Sequence, residues 1–245
     1  MLSFLKNHPF AVEAIFESSL VLTFAVPKEE LKGMIPSCLA LDTFDDKWAF
    51  IAVAMAKSKD LRPVGYPSFM GTHFNLVSYR VFVRYITRQG KRLRGFYTIG
   101  SETNKQKMSF LGNLFTHNDY KTTDININSA ASTLSVKSIK SGIDVAVKLN
   151  NDRPPLPARS PFIDWKDARE YAGLLPYTFT YNEKTNEVLI VEGVREHWDS
   201  APAEVIRGNV EFVNSLAIKG LVLASAFVVQ NIPYLWEKGR LELWK

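Results

Sequence analysis

Alternation of side chains with a two-residue period is the feature that most constrains how this chain can fold. In residues 18–26, Leu20 and Leu22 fall on one face of an extended segment, while Val21 and Thr23 fall on the other. This pattern predicts a β-strand. The same period predicts further strands at residues 39–44, 48–55, 74–88, 93–99, 124–149, 177–181 and 188–194.

Helical spacing is confined to short stretches between the predicted strands. Met108, Leu111 and Phe115 recur at the spacing of one helix face, and Asn104 is the expected N-cap of that helix. Further short helices are predicted at residues 27–36 and 164–172.

Many short strands with few helices favour a closed or nearly closed β architecture. We therefore predict a mainly β fold, an antiparallel β-barrel with a few short helices. Loops rich in turn formers are expected at residues 57–71 and 153–161. Only the second is a candidate boundary, and the residues beyond it make no convincing core alone, so residues 1–245 are expected to form a single domain. The mouth of such a barrel commonly holds a small ligand.

The composition restricts the location and the partners of the chain. Cys38 is the only cysteine, so no intrachain disulfide can form and a cytoplasmic location is expected. The N-terminus lacks a signal-peptide pattern, and no apolar run reaches the roughly 18 residues of a membrane-spanning helix. The mild formal net charge of +5 suits an anionic small ligand. Homo-oligomerisation is left open.

Basic residues cluster on the predicted hairpin at residues 74–99, with aromatic residues between them, a mixture also found on nucleic-acid-binding surfaces. Strand alternation explains this pattern without nucleic acid, because Arg80 and Arg84 fall on one side of the strand and Tyr79 and Val81 on the other. We therefore expect no nucleic-acid partner; the alternative requires a steep salt dependence of binding. The basic residues are Arg80, Arg84, Arg88, Lys91, Arg92 and Arg94.

Four stretches of the chain resemble the acetoacetate decarboxylase-like superfamily, and the last three resemble its uncharacterised YqjF-like branch. The order of the four stretches is more specific than any one of them, and the resemblance extends over residues 16–243. It implies a β-barrel-like fold with a central cavity. The stretches lie at residues 20–42, 74–97, 168–179 and 191–205.

The resemblance also implies a Schiff-base lysine, whose amine is kept neutral by burial and by an adjacent lysine. Glu102 matches a glutamate of the superfamily, but the adjacent lysine pair falls at Met108 and Ser109. Lys105 and Lys107 lie nearby and are the remaining Schiff-base candidates. On a helix they would point about 200° apart, so they would not face one cavity together.

The densest polar and aromatic cluster is at residues 195–198. If the strand that begins at Val188 continues, Arg195 and His197 share one face. Arg195 could then bind a carboxylate and His197 could donate a proton. The alternative is a surface strand end with a paired arginine and a packed tryptophan. The four histidines share no metal-ligand spacing, so no metal and no cofactor are expected.

Two functional hypotheses remain open. In the first, the barrel cavity binds a small anionic or carbonyl-bearing molecule in a lyase-like enzyme that has lost the Schiff-base lysine pair. Glu102 and His197 would then do acid–base work, and Arg195 would bind the ligand. In the second, the same cavity belongs to a non-catalytic small-molecule-binding or sensor domain, which the missing lysine pair favours.

Overall fold

The chain folds into two β-sheets with three short α-helices. A computed structural model describes residues 3–130, 132–149, 153–172, 175–195 and 199–244. The strands in these ranges are β1 (Val12–Pro27), β2 (Ala40–Leu41), β3 (Trp48–Pro63), β4 (Thr72–Ile86), β5 (Arg92–Thr103), β6 (Tyr120–Thr122), β7 (Asn126–Ala130), β8 (Thr133–Ser138), β9 (Ile143–Lys148), β10 (Tyr177–Asn182), β11 (Glu187–Val194), β12 (Ala201–Pro202), β13 (Glu204–Val210), β14 (Val222–Trp236) and β15 (Arg240–Leu243).

The helices are short and lie at the ends of the sheets. None of the described helices has the length and apolar character that crossing a bilayer requires. They are α1 (Gln106–Phe115), α2 (Trp165–Ala172) and α3 (Glu211–Ser215), with 3-10 helices at Ser3–Asn7, Lys28–Glu30, Lys32–Met34 and Ser68–Met70.

The larger sheet closes on itself through seven strands in the order β14, β1, β3, β4, β5, β10 and β11. Closure comes from β11, which pairs back onto β14 at Gly193 with Trp236 and at Val194 with Leu235. We refer to this arrangement as the ring. It confirms the predicted mainly β, nearly closed fold.

The ring departs from a purely antiparallel arrangement at one junction. β10 pairs with β5 in parallel, as β6 also does. Between β5 and β10 the chain passes through the second sheet and α2, and it therefore returns to the ring running in the same direction as β5.

The second sheet covers one face of the ring. Its strand order is β13, β9, β8 and β7. Leu20, Leu22 and Val53 of the ring pack against Val136 and Val145 of this sheet, and all five side chains are buried. We call this side of the ring strands the core face and the opposite side the inner face.

Two predictions made from local sequence differ from the structure, because pairing between distant strands determines the fold there. β3 runs to Pro63, well into the predicted loop at residues 57–71, because it stays paired with β1 up to that point. The predicted hairpin of residues 39–44 and 48–55 is wrong, since β2 pairs with β4 and only a Phe44–Trp48 bridge remains.

Two predictions about the helices also need correction. Residues 27–36 form two 3-10 turns instead of one helix. Asn104 does not cap α1; its Oδ1 accepts a hydrogen bond from the backbone N–H of Asn75 at 2.8 Å, which ties the start of α1 to β4. Residue 105 holds the N-cap position and makes no capping bond through its side chain.

Gly95 permits the close parallel approach of β5 and β10. A Cβ at this position would clash with the carbonyl oxygen of Tyr177 and the ring of Phe179. We expect Gly95→Ala to lower the free energy of unfolding by about 1–3 kcal/mol, measured by urea denaturation, because neither neighbour can move freely. Gly33→Ala is the matched control, since a Cβ there meets no atom. Equal stability of the two variants would contradict this account of the junction.

Candidate functional site

The inner face of the ring encloses a cavity in two adjacent parts. The larger part, of about 230 Å³, lies between the ring strands and α1, and we call it the apolar chamber. The smaller part, of about 60 Å³, contains Arg80 and Arg195, and we call it the arginine chamber. Phe16, Leu76 and Trp236, together with Arg80, line both parts, so the two chambers are adjacent.

The arginine chamber exists because β3 places small side chains on its inner face. Ala52, Ala54 and Ala56 line it. The alternate residues Val53 and Met55 face the other way and are fully buried in the core. Because strand side chains alternate, one segment supplies large groups to the core and small groups to the cavity. The alanines leave a volume that larger residues would fill.

Arg80 is the cation at the junction of the two chambers. Its Nε donates a hydrogen bond to the hydroxyl of Ser78 at 3.0 Å, and its guanidinium lies 5.4 Å from the ring centroid of Phe96. Among the described residues it forms no ion pair with a carboxylate. Burial lowers the pKa of Arg80, two tyrosines oppose this change, and the nearby charge of Arg195 adds to it. The charge of Arg80 is therefore poorly compensated.

Arg195 reaches the same chamber from the end of β11. Its Nη2 donates to the hydroxyl of Tyr234 at 2.9 Å, and its guanidinium lies 4.6 Å from the centroid of that ring. Gly193 makes room for this arrangement, since a Cβ there would clash with the Tyr234 hydroxyl. The arginine predicted from sequence to bind a ligand therefore lies in the cavity lining, beside Arg80 in the same chamber.

The described lining of the two chambers is cationic. It contains no aspartate and no glutamate, whereas Lys6, Arg62, Arg80 and Arg195 all contribute. Arg62 is already paired with Glu13 at 2.8 Å. Among these four cations, Arg80 and Arg195 lie together in the smaller chamber.

Glu102 lies on the opposite side of the sheet from this cavity. It pairs with Val77, which belongs to the core face, whereas Thr98 of the same strand pairs with Arg80 and lines the cavity. A register shift between Tyr79 and Arg80 inserts one extra residue into β5 and reverses the faces beyond it. Spacing along the strand alone would put Thr98 and Glu102 on one face.

The surroundings of Glu102 are those of a carboxyl buried between two sheets. Its Oε2 is buried without a hydrogen-bond partner among the described residues. Burial raises the pKa of Glu102, while Ser141, Lys121 and Tyr79 oppose that increase. The same carboxyl adds to the effect of burial in raising the pKa of Tyr79.

The lysine candidates lie away from the cavity lining. Lys105 and Lys107 are exposed around the start of α1, while Met108 is buried and lines the apolar chamber. The position at which the resemblance expects a lysine therefore presents a thioether to the cavity. Lys6 is the only lysine among the described residues of the lining.

The role of His197 and the expected absence of a metal both stay predictions. His197 lies outside the described residues, so its role stays a prediction. Within the described ranges no group of three or more histidine, cysteine, aspartate or glutamate side chains could hold a metal ion.

Arg80 is the functional candidate that sequence reasoning missed. Alternation had assigned it to a solvated face of the hairpin. On the same strand face Arg80 is flanked by Ser78 and Phe82, with Leu76 beyond Ser78, and all three are buried. An arginine between two large apolar residues on one face is the signal that could have identified a cavity position, because a solvated face rarely carries that pattern.

Comparisons with known proteins agree on the fold. A model of DUF2071, a family described as an uncharacterized conserved protein, matches residues 14–233. A search of curated proteins gives no match.

Three solved structures are similar over nearly the whole chain. Acetoacetate decarboxylase from Legionella pneumophila is 14% identical, with a TM-score of 0.59 over 96% of this chain and 88% of that one. An acetoacetate decarboxylase-like enzyme from Sphingomonas wittichii is 13% identical, with a TM-score of 0.59 over 98% and 94%. The enduracididine biosynthesis enzyme MppR, complexed with pyruvate, is 9% identical, with a TM-score of 0.56 over 95% and 90%. The predicted acetoacetate decarboxylase-like fold is confirmed, and the YqjF-like branch stays a prediction.

The buried carboxyl of Glu102 predicts a pH-dependent stability difference. Because the folded protein raises the pKa of this group, its ionisation destabilises the fold as pH rises through the folded-state pKa. We expect Glu102→Gln to raise the melting temperature at neutral pH, and this gain to vanish below the unfolded pKa of about 4.3. Glu183→Gln, at an exposed turn position, is the control. A gain that does not depend on pH would contradict the assignment.

Proposed function

The chain belongs to the DUF2071 family, and we propose that it binds a small organic anion in the ring cavity, with Arg80 and Arg195 as the anion-binding residues. The observation that carries this proposal is a cavity that gathers two arginines in one small chamber and has no acidic residue in its described lining. Guanidinium groups bind carboxylates through paired, charge-assisted hydrogen bonds.

The energetic argument rests on Arg80. A buried charge is costly unless a counter-charge and hydrogen bonds compensate for its lost hydration. Only the Nε of Arg80 donates to a protein group among the described residues, so both terminal nitrogens are left to donate to a ligand. A carboxylate would supply the missing charge and accept these bonds. The small carboxylate pyruvate bound to MppR, a protein of similar fold, supports the same chemistry.

The placement of the lysines favours binding over Schiff-base catalysis. Lys105 and Lys107 are exposed, and Met108 takes the cavity position. Burial and an adjacent cation are what make a lysine amine nucleophilic near neutral pH, and an exposed lysine lacks the first of these. We therefore favour a binding or sensor role over a lyase that works through a lysine.

The remaining cations of the hairpin favour a small ligand over nucleic acid. Arg94 pairs with Asp42 at 2.7 Å, and Arg84 donates to the carbonyl oxygen of Leu41 at 3.0 Å. The Nε of Arg88 donates to the carbonyl oxygen of Leu243 at 2.9 Å. These three side chains are engaged within the protein, which leaves Lys91 and Arg92 of the basic cluster exposed near the turn.

Arg80→Met tests the anion site through ligand-induced stabilisation. In the wild type, a saturating carboxylate at about 100 times its Kd should stabilise the fold by about 2.7 kcal/mol. We expect the variant to lose this stabilisation, measured by thermal unfolding with butyrate and benzoate. Without ligand its melting temperature should stay equal or rise, because a poorly compensated and partly buried charge has been removed.

Arg88→Met is the matched control, because Arg88 lies at the end of the same hairpin and outside both chambers. It should keep the full carboxylate response. Equal stabilisation of the wild type and the Arg80 variant by these ligands would overturn the proposal.

Borohydride trapping tests the exclusion of lysine catalysis. After incubation with acetoacetate and reduction, we expect the intact mass to be unchanged, because Lys105 and Lys107 are exposed and lie outside the cavity lining. An acetoacetate decarboxylase treated in parallel should show the adduct. A stable adduct mapped to Lys6, Lys105 or Lys107 would instead establish Schiff-base chemistry.

A further inference from the structure

The lining residues of the two chambers differ in polarity, and this difference indicates which kind of ligand would fit the cavity. The arginine chamber brings together Arg80, Arg195 and the Tyr234 hydroxyl. The walls of the apolar chamber are largely hydrocarbon and aromatic, with Phe74, Leu76, Met108, Leu111, Leu189 and Val191 among them. One part of the cavity therefore suits an anionic group, and the other suits an apolar body.

The two environments are adjacent and share part of their lining. Arg80 lines both chambers, as do Phe16 and Trp236. A carboxylate held by Arg80 would therefore have its substituent directed along the aromatic walls into the apolar chamber. A ligand with only two or three carbon atoms would leave the larger chamber unfilled.

The cations of the apolar chamber give little support for a second anionic group. The charge of Arg62 is compensated by Glu13 at 2.8 Å. Burial lowers the pKa of His8 and of His117 below the ordinary value, so both imidazoles are neutral at pH 7. Lys6 is the remaining cation among the described lining residues, and dicarboxylates in the experiment test its contribution.

We propose that the ligand is an amphipathic monocarboxylate, whose carboxylate binds Arg80 and Arg195 and whose alkyl or aryl body fills the apolar chamber. This inference rests on the anion binding proposed above and adds the class of the ligand. It predicts that affinity grows with the apolar body, because each methylene removed from water contributes to binding.

Calorimetry with butyrate, hexanoate, octanoate and decanoate, each below its micelle concentration, measures this dependence. We expect the affinity to increase about fourfold per methylene until the chamber is full. The corresponding primary alcohols should bind at least tenfold more weakly to the wild type. In Arg80→Met the acid and the alcohol of equal length should bind alike, while Arg88→Met keeps the wild-type preference for the acid.

A second variant tests the apolar chamber separately. Thr180 lines this chamber on β10, and Thr180→Leu reduces the space available. We expect the increase in affinity with chain length to stop at a shorter acid than in the wild type. An unchanged chain-length series in this variant would place the tail elsewhere and overturn the inference.

The outcomes separate the inference from the function on which it rests. Carboxylates that bind through Arg80 with no dependence on chain length would overturn the ligand class and leave anion binding intact. Tighter binding of dicarboxylates than of monocarboxylates of equal length would also overturn the ligand class and leave anion binding intact. No binding of any carboxylate, or equal binding of acids and alcohols by the wild type, would overturn both.

Discussion

The short antiparallel pairing of β11 with β14 is the contact on which the cavity depends. Two residue pairs, Gly193 with Trp236 and Val194 with Leu235, convert a curved sheet into a ring. The same contact sets Arg195 against Tyr234. An open sheet would expose its inner face to water, which would hydrate Arg80 and remove the reason for that residue to attract an anion. The electrostatics of the cavity therefore follow from closure.

Because side chains alternate along each strand, the residues that pack in the core and those that line the cavity lie on opposite faces of the same strand. On β3, Val53 and Met55 pack in the core, while Ala54 and Ala56 leave space on the inner face. On β4 the neighbours Tyr79 and Arg80 are divided in the same way: the ring of Tyr79 stacks on Phe212 at 3.9 Å, and Arg80 lines the cavity. Inner-face substitutions should therefore change ligand preference with little effect on the core.

A fold similar to that of the acetoacetate decarboxylases does not by itself imply the same reaction. The likeness is at 14% identity or below in the three structures described, and one fold supports many sites. The cavity of this chain has the thioether of Met108 in one part of its lining and Arg80 and Arg195 in the other. Lys6 is the only lysine among the described residues of that lining.

Local patterns in the sequence determined the mainly β fold, the hairpin at residues 74–99 and the helix near Met108. Such features depend on spacing between near neighbours, which the chain itself displays. The sequence left open whether Arg195 faces the cavity or lies at a surface strand end, and the structure places it in the lining. Three features were decided only by the tertiary structure. They are the parallel pairing of β5 with β10, the closure of the ring, and the strand faces on which Arg80 and Glu102 lie. One inserted residue in β5 reverses the direction of every side chain beyond it, and strand spacing does not reveal such an insertion.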